Sequence, residues 1–162
     1  MILALFSLAF AGKLQEGWRG IPYGPNTVLG VNPTADCTPY PEPIVRWACK
    51  EEIGGIPVEV SYLDDEGYFV GVIIRARGYS ACATVFATLS AAWTVPFTVQ
   101  RASSSALPDG FWNLSRYKTE TSAMWSYNPT SGVGSASTMN DSLNALVKTR
   151  KAAKAAAAAE AL

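Results

Sequence analysis

The chain contains no histidine and little charge. None of its 162 residues is His, and charged residues make up 16% of it, whereas soluble domains carry about a quarter. Without imidazole there is no Ser-His or Cys-His nucleophile pair, no His-containing zinc site and no imidazole pH switch. Cysteine is scarce too. Cys37, Cys49 and Cys82 are the three present, too few without histidine to make a zinc set. Net charge is absent, with 13 Lys plus Arg against 13 Asp plus Glu. Binding to nucleic acid requires a basic surface against the phosphates, so nucleic acid is excluded as a partner of the whole molecule.

The motifs of catalysis are missing as well. Gly132-Val133-Gly134 lacks the third glycine of a dinucleotide loop, and neither a phosphate loop nor a Gly-x-Ser-x-Gly elbow occurs. Glu52 and Glu59 are the residue type of a glycosidase pair, but that chemistry depends on a separation in space that sequence spacing does not supply. No catalytic residue and no metal ligand is therefore assigned. No cofactor is identified, and the chain reads as noncatalytic.

The charge that is present segregates. Between Asp36 and Glu66 there are eight acidic residues against Arg46 and Lys50, while residues 67–162 hold nine basic and four acidic ones. This pattern fits two solvated faces of opposite sign, or a molecule oriented between two different neighbours.

Two apolar segments stand out. Met1 to Gly12 (MILALFSLAFAG) ends on Ala9-Phe10-Ala11, the small-x-small close of a secretory signal, but has no basic residues before it. It is either a retained anchor or arm, or a leader cleaved after Ala11. At twelve residues it is shorter than the roughly 20 that span a bilayer. From Gly78 to Gln100 there are 23 residues without charge, with Ala83, Ala87, Ala91 and Ser80, Thr84, Thr88 at four-residue spacing. Small residues so spaced let helices approach closely. A buried core helix over about 80–93 is the leading reading. A membrane-spanning or membrane-lying helix and a pair of buried strands are the alternatives.

Local patterns predict the remaining elements. Pro57 to Leu63 alternates Val58, Val60 and Tyr62 with polar neighbours, Asp64 to Gly67 supplies a turn, and Tyr68 to Ala76 returns as a strand apolar on both faces. Asp64, Asp65 and Glu66 are expected to face water in that turn. Residues 13–56 are rich in Gly and Pro and predict an extended arm. Trp18, Tyr23 and Trp47 within it offer large contact area at low entropy cost, either to a partner or as lids on this domain's own core. Cys37 and Cys49 can close a disulfide in an oxidising compartment, and Cys82 is expected to be buried and inert. Strands are expected at Phe97–Arg101 and Ser122–Tyr127, and a turn at Leu107–Gly110. Trp112, Trp125 and Tyr127 form either core or a ligand-stacking surface. From Thr138 a helix runs to Leu162, with Thr138 and Asn140 as caps, Leu143, Leu146 and Val147 on one face, and alanines at its end. Its basic residues Lys148, Arg150, Lys151 and Lys154 are expected to touch a neighbouring subunit or an anionic membrane surface.

These elements predict an α+β fold. It consists of a small antiparallel sheet built on the 57–76 hairpin, one apolar helix at about 80–93, long irregular Pro/Gly-rich arms and a C-terminal Ala-rich helix. The expected organisation is an apolar segment (1–12), an extended arm (13–56), a small core domain (57–137) and the terminal helix (138–162). The expected function is that of a noncatalytic accessory or structural subunit of a large assembly. The best match is a membrane-associated complex of photosynthetic or respiratory type, organellar or bacterial, with other protein subunits and membrane lipid as partners. A virion structural protein and a secreted β-rich binding module are the alternatives. Cleavage of residues 1–11 would make the location secreted or lumenal.

Overall fold

The computed structural model describes residues 13–25, 36–40, 44–101, 111–118 and 120–160, leaving aside the side chains of residues 99–101, 111, 112 and 160. The expected prefix 1–12 and the turn at Leu107–Gly110 lie outside these residues. In chain order the elements are β1 (Gly17–Trp18), β2 (Ile21–Pro22), β3 (Gly24–Pro25), β4 (Cys37–Pro39), β5 (Val45–Ile53), β6 (Ile56–Asp65), β7 (Tyr68–Arg77) and α1 (Tyr79–Ala92). They continue with β8 (Thr98–Arg101), β9 (Phe111–Tyr117), β10 (Thr121–Asn128), β11 (Val133–Asn140) and α2 (Asp141–Glu160). The main sheet has the order β4-β5-β6-β7-β11-β10-β9-β8, antiparallel throughout, with β3 beside the start of β7. Two meanders, β4 to β7 and β8 to β11, meet at the β7–β11 pairing. α1 carries the chain from the middle of the sheet to its far edge.

This corrects the expected fold. The protein is mostly β, with 50% strand and 28% helix, and the 57–76 hairpin is the middle of an eight-stranded sheet rather than the whole of a small one. The arm expected to be irregular over 13–56 contributes β1 to β5. β5 (VRWACKEEI) carries Arg46, Lys50 and Glu52 on its exposed face, which masks the inward set of Trp47, Cys49 and Ile53. β11 (VGSASTMN) turns Gly134, Ala136 and Thr138 inward, residues too small to read as an apolar alternation. The terminal helix starts at Asp141, because residues 138–140 belong to β11.

The hairpin turn is tight for a chemical reason. Glu66 and Gly67 have φ of 53° and 82°, the two left-handed residues of a two-residue hairpin turn, and Asp64 Oδ1 accepts the Gly67 N–H at 2.9 Å. Asp65, expected to face water, is buried.

Alternation along the strands puts the main core on one face of the sheet. Val58, Val60 and Tyr62 of β6, Phe69, Val72 and Ile74 of β7, and Ala123 and Trp125 of β10 pack beneath α1 and the segment from Lys13 to Pro25. α1 buries Cys82, Val85, Phe86 and Leu89. Trp125 is fully buried between Phe86 and Phe97, with ring centroids 6.4 and 4.8 Å away. Gly134 must be glycine, since a Cβ there would collide with Cys82 Sγ, and its absence lets α1 settle onto β11. The helix expected at about 80–93 is thus spent on the sheet. Among the described residues no helix is long and apolar enough to cross a membrane.

A smaller cluster lies on the opposite face, where Val45, Leu63 and Val70 pack with Ile73, Met139 and Leu143. α2 begins there. Asn140 Oδ1 accepts the Leu143 N–H at 2.9 Å as the N-cap, and Asp141 in the first turn accepts the Ser122 hydroxyl at 3.0 Å.

Candidate functional site

The N-terminal strap, residues 13–25, lies across the inner face and is tied down by polar contacts. Gln15 Nε2 donates to Thr94 Oγ1 at 2.6 Å, and its carbonyl accepts the Thr121 hydroxyl at 2.9 Å. Trp18 is fully buried, and Tyr23 hydrogen-bonds Thr138 and packs on Phe69 at 5.2 Å. Trp47 is half-buried against the same core. The structure therefore places all three aromatic anchors as lids on this chain's own core.

Arg19, on the strap, reaches the edge of the sheet. Its Nη2 donates to the Glu52 carbonyl at 3.0 Å, and its Nε lies 2.6 Å from Glu51 Oε2. The Glu51 side chain is only 2% exposed. Its Oε1 accepts the Tyr62 hydroxyl at 2.8 Å. Burial raises the Tyr62 pKa above its ordinary value, and the Glu51 charge adds to the shift, so the phenol remains a neutral donor. A buried carboxylate held between a cation and a phenol is a locked ion pair. It fixes the strap and exposes no reactive atom. Sequence reading missed this cluster, whose members come from three separate segments.

The outer edge of β5 is also closed. The Arg46 carbonyl accepts the Tyr40 N–H at 3.3 Å, the Thr38 hydroxyl bonds the Ala48 carbonyl at 3.4 Å, and the Lys50 N–H bonds the Asp36 carbonyl at 3.0 Å. Cys37 and Cys49 lie directly opposite each other in the β4–β5 register and form a disulfide. Covering an edge in this way blocks strand addition from another chain.

On the other face the basic residues of α2 turn back onto the chain. Lys151 pairs with Asp65, Lys154 Nζ lies 3.1 Å from Glu66 Oε2, and Arg150 donates to the Tyr68 hydroxyl while stacking 5.2 Å over its ring. Of the four expected to meet a partner, only Lys148 has a side chain with no hydrogen bond or ion pair among the described residues. Beyond Lys151 every residue from 152 to 159 is exposed, and Leu146 is 42% exposed.

The remaining candidates are placed elsewhere. Glu59 is bound by Arg75 Nη1 at 3.1 Å, and Glu52 is exposed on β5. Among the described residues no group of three His, Cys, Asp or Glu side chains is placed to hold a metal. Cys82 is buried, its thiol donating to the Ala76 carbonyl at 3.4 Å, and burial pushes its pKa up, away from a reactive thiolate. Trp125 is core, with Nε1 donating to Ser90 Oγ at 3.0 Å, and Tyr127 meets Tyr79 edge-on at 5.4 Å. The Trp112 side chain lies outside the described residues. Comparison with known proteins finds no matching family model, no matching curated protein and no matching solved structure.

Proposed function

We propose that the chain is a noncatalytic structural subunit of a protein assembly in an oxidising compartment, joined to its neighbours through the distal half of α2. The observation behind this reading is the exposure of every residue from 152 to 159, seven alanines and Lys154, on a helix whose first turns are packed. Lys154 still reaches Glu66, and the five alanines after it carry the helix roughly 7 Å past that contact at 1.5 Å per residue. Alanine gives it helix propensity without a core, and methyl groups on all sides allow a partner helix to approach closely. The Cys37–Cys49 disulfide supports the compartment, because such bonds persist outside the reducing cytosol. The photosynthetic or respiratory membrane setting, with its lipid contact, rests on the apolar sequence of residues 1–12 alone, since α1 is packed on the sheet. The disulfide and the predominance of strand also favour a second reading, a secreted β-rich binding module.

The test is sizing of the tagged chain after gentle extraction from its native cells, beside a version ending at Lys151. The full chain is expected in a large complex. The shortened chain, which loses only the exposed Lys154–Glu66 pair, is expected to migrate near its own mass and to be destabilised by no more than about 0.5 kcal/mol. Migration of both as free monomers, the full one near 17.3 kDa, overturns the assembly reading and leaves the binding module.

A further inference from the structure

β5 is nine residues long, yet β4, the strand that covers its edge, has three. Thr38 and Pro39 of β4 are exposed, and Cys37 is its one buried residue. Among the described residues its hold on β5 is the disulfide plus edge hydrogen bonds, such as Lys50 N–H to the Asp36 carbonyl at 3.0 Å and Tyr40 N–H to the Arg46 carbonyl at 3.3 Å. So short a pairing, with a single buried side chain, does not persist in water without its covalent bond. Cys37 is 8% exposed and Cys49 1%, so an incoming thiolate meets Cys37 first.

The edge beneath β4 is self-complementary. The Arg46 carbonyl and the Lys50 N–H both point at β4, so Arg46, Ala48, Lys50 and Glu52 carry the outward-pointing backbone groups of β5. Two β5 strands laid antiparallel about Cys49 set Arg46 opposite Glu52 of the second copy and Lys50 opposite its Ala48, and the two-fold axis repeats both pairs. A slip of two residues in either direction sets Arg46 against Lys50 or Lys50 against Lys50, so charge selects the register. Arg46 and Glu52 are exposed, and neither side chain has an ion pair among the described residues. The Glu52 carbonyl keeps its bond from Arg19 Nη2, because a carbonyl oxygen accepts twice.

We propose that the Cys37–Cys49 disulfide is a redox latch: a dithiol reduces it, β4 leaves the edge, and β5 pairs antiparallel with β5 of a second copy. One thiolate of the dithiol attacks Cys37 Sγ and expels the Cys49 thiolate, and the second thiol then displaces Cys37. The two protein sulfurs gain two electrons and two protons, and the dithiol becomes a disulfide. The latch is independent of α2 and of the assembly reading.

Sedimentation of the purified full chain with and without dithiothreitol tests it. Reduction is expected to double the mass, equally in the version ending at Lys151, and reoxidation to reverse it. Amide exchange should show residues 36–40 losing protection while Lys50 and strands β6, β7 and β11 keep theirs. Cys37→Ser, which opens the latch without a reductant, should dimerise in the absence of dithiothreitol. Arg46→Glu should weaken the reduced dimer about 10-fold, and adding Glu52→Arg should restore it. The proposal is overturned if reduction leaves the mass unchanged, if it unfolds the chain as a whole, or if Arg46→Glu dimerises as well as the parent.

Discussion

α1 buries Cys82, Val85, Phe86 and Leu89 against the inner face of the sheet, whereas α2 meets the outer face with Leu143 and Val147 and then with charges. The two helices share one sheet and differ in what holds them. A fully buried Leu or Phe side chain contributes about 1.5–3 kcal/mol, and an exposed ion pair contributes about 0–1 kcal/mol. α1 is therefore built into the fold, and α2 is fastened to it. The longer helix, 20 residues against 14, is the more weakly held, because length adds stability only where a face is buried.

The most severe way to break this comparison is to cut equal volumes from both helices. Leu89→Ala, at a side chain fully buried under α1, is expected to cost about 3 kcal/mol, the transfer loss plus the cavity left behind. Leu143→Ala, at a half-buried side chain on α2, is expected to cost about 1 kcal/mol. Urea denaturation of both variants measures the difference. Equal losses would mean that α2 is packed as firmly as α1.

A smaller effect distinguishes the faces by pH. Tyr23 lies on the strap and Tyr62 on β6, and burial raises both above their ordinary value of 10.0. Above pH 10 the unfolded chain releases these protons and the folded chain retains them. Stability is thus complete below pH 10 and falls as pH rises past it, by about 1 kcal/mol per tyrosine one unit higher. Tyr62→Phe should cost about 1–2 kcal/mol at pH 8 through the hydrogen bond lost to the Glu51 carboxylate. Its alkaline decline should be shallower than that of the parent. Denaturant midpoints at pH 8 and 11 check both, and parallel declines would place the titration elsewhere.

The inner face also shows what a sequence reveals and what it withholds. Val58, Val60 and Tyr62 alternate with polar residues and run into Asp-Asp-Glu-Gly, so the β6–β7 hairpin was legible from local pattern alone. The helix over 79–92 was legible through its uncharged length. β11 was not, because its inward residues are small for a tertiary reason: α1 lies so close above it that Gly134 has no room for a Cβ. The sheet was underestimated for that reason, since β11 joins its two halves. The Arg19–Glu51–Tyr62 cluster was invisible because each member looks ordinary along the chain and only the fold brings them together. The aromatic residues of the strap were legible as anchors, though not in what they anchor to.

Charge segregation is the remaining case. An acidic stretch over 36–66 and a basic C-terminal helix suggested two neighbours, yet part of each finds the other. Lys154 meets Glu66 from 88 residues away, and Lys151 meets Asp65 beside it. Opposite charges far apart in sequence are as consistent with an internal clamp as with two external partners, and only topology decides. Here the hairpin turn that carries Asp65 and Glu66 stands under the third and fourth turns of α2.

The clamp provides the finest comparison. Asp65 is 8% exposed and Lys151 41%, whereas Glu66 is 30% and Lys154 72% exposed. Solvent screens the second pair more strongly, so the two should differ although their chemistry is the same. Lys151→Gln is expected to cost about 0.5–1 kcal/mol, because it leaves the Asp65 carboxylate buried without its cation. Lys154→Gln is expected to cost no more than about 0.3 kcal/mol. Both losses should appear first as faster amide exchange along residues 148–156 while exchange in α1 stays unchanged, because α1 depends on neither pair. Raising salt from 0.05 to about 1 M should speed exchange in the parent α2 towards that of Lys151→Gln and leave α1 alone. If salt loosened both helices together, the contrast between a helix held by packing and one held by charge would fail, and α2 would belong to the same cooperative unit as the core.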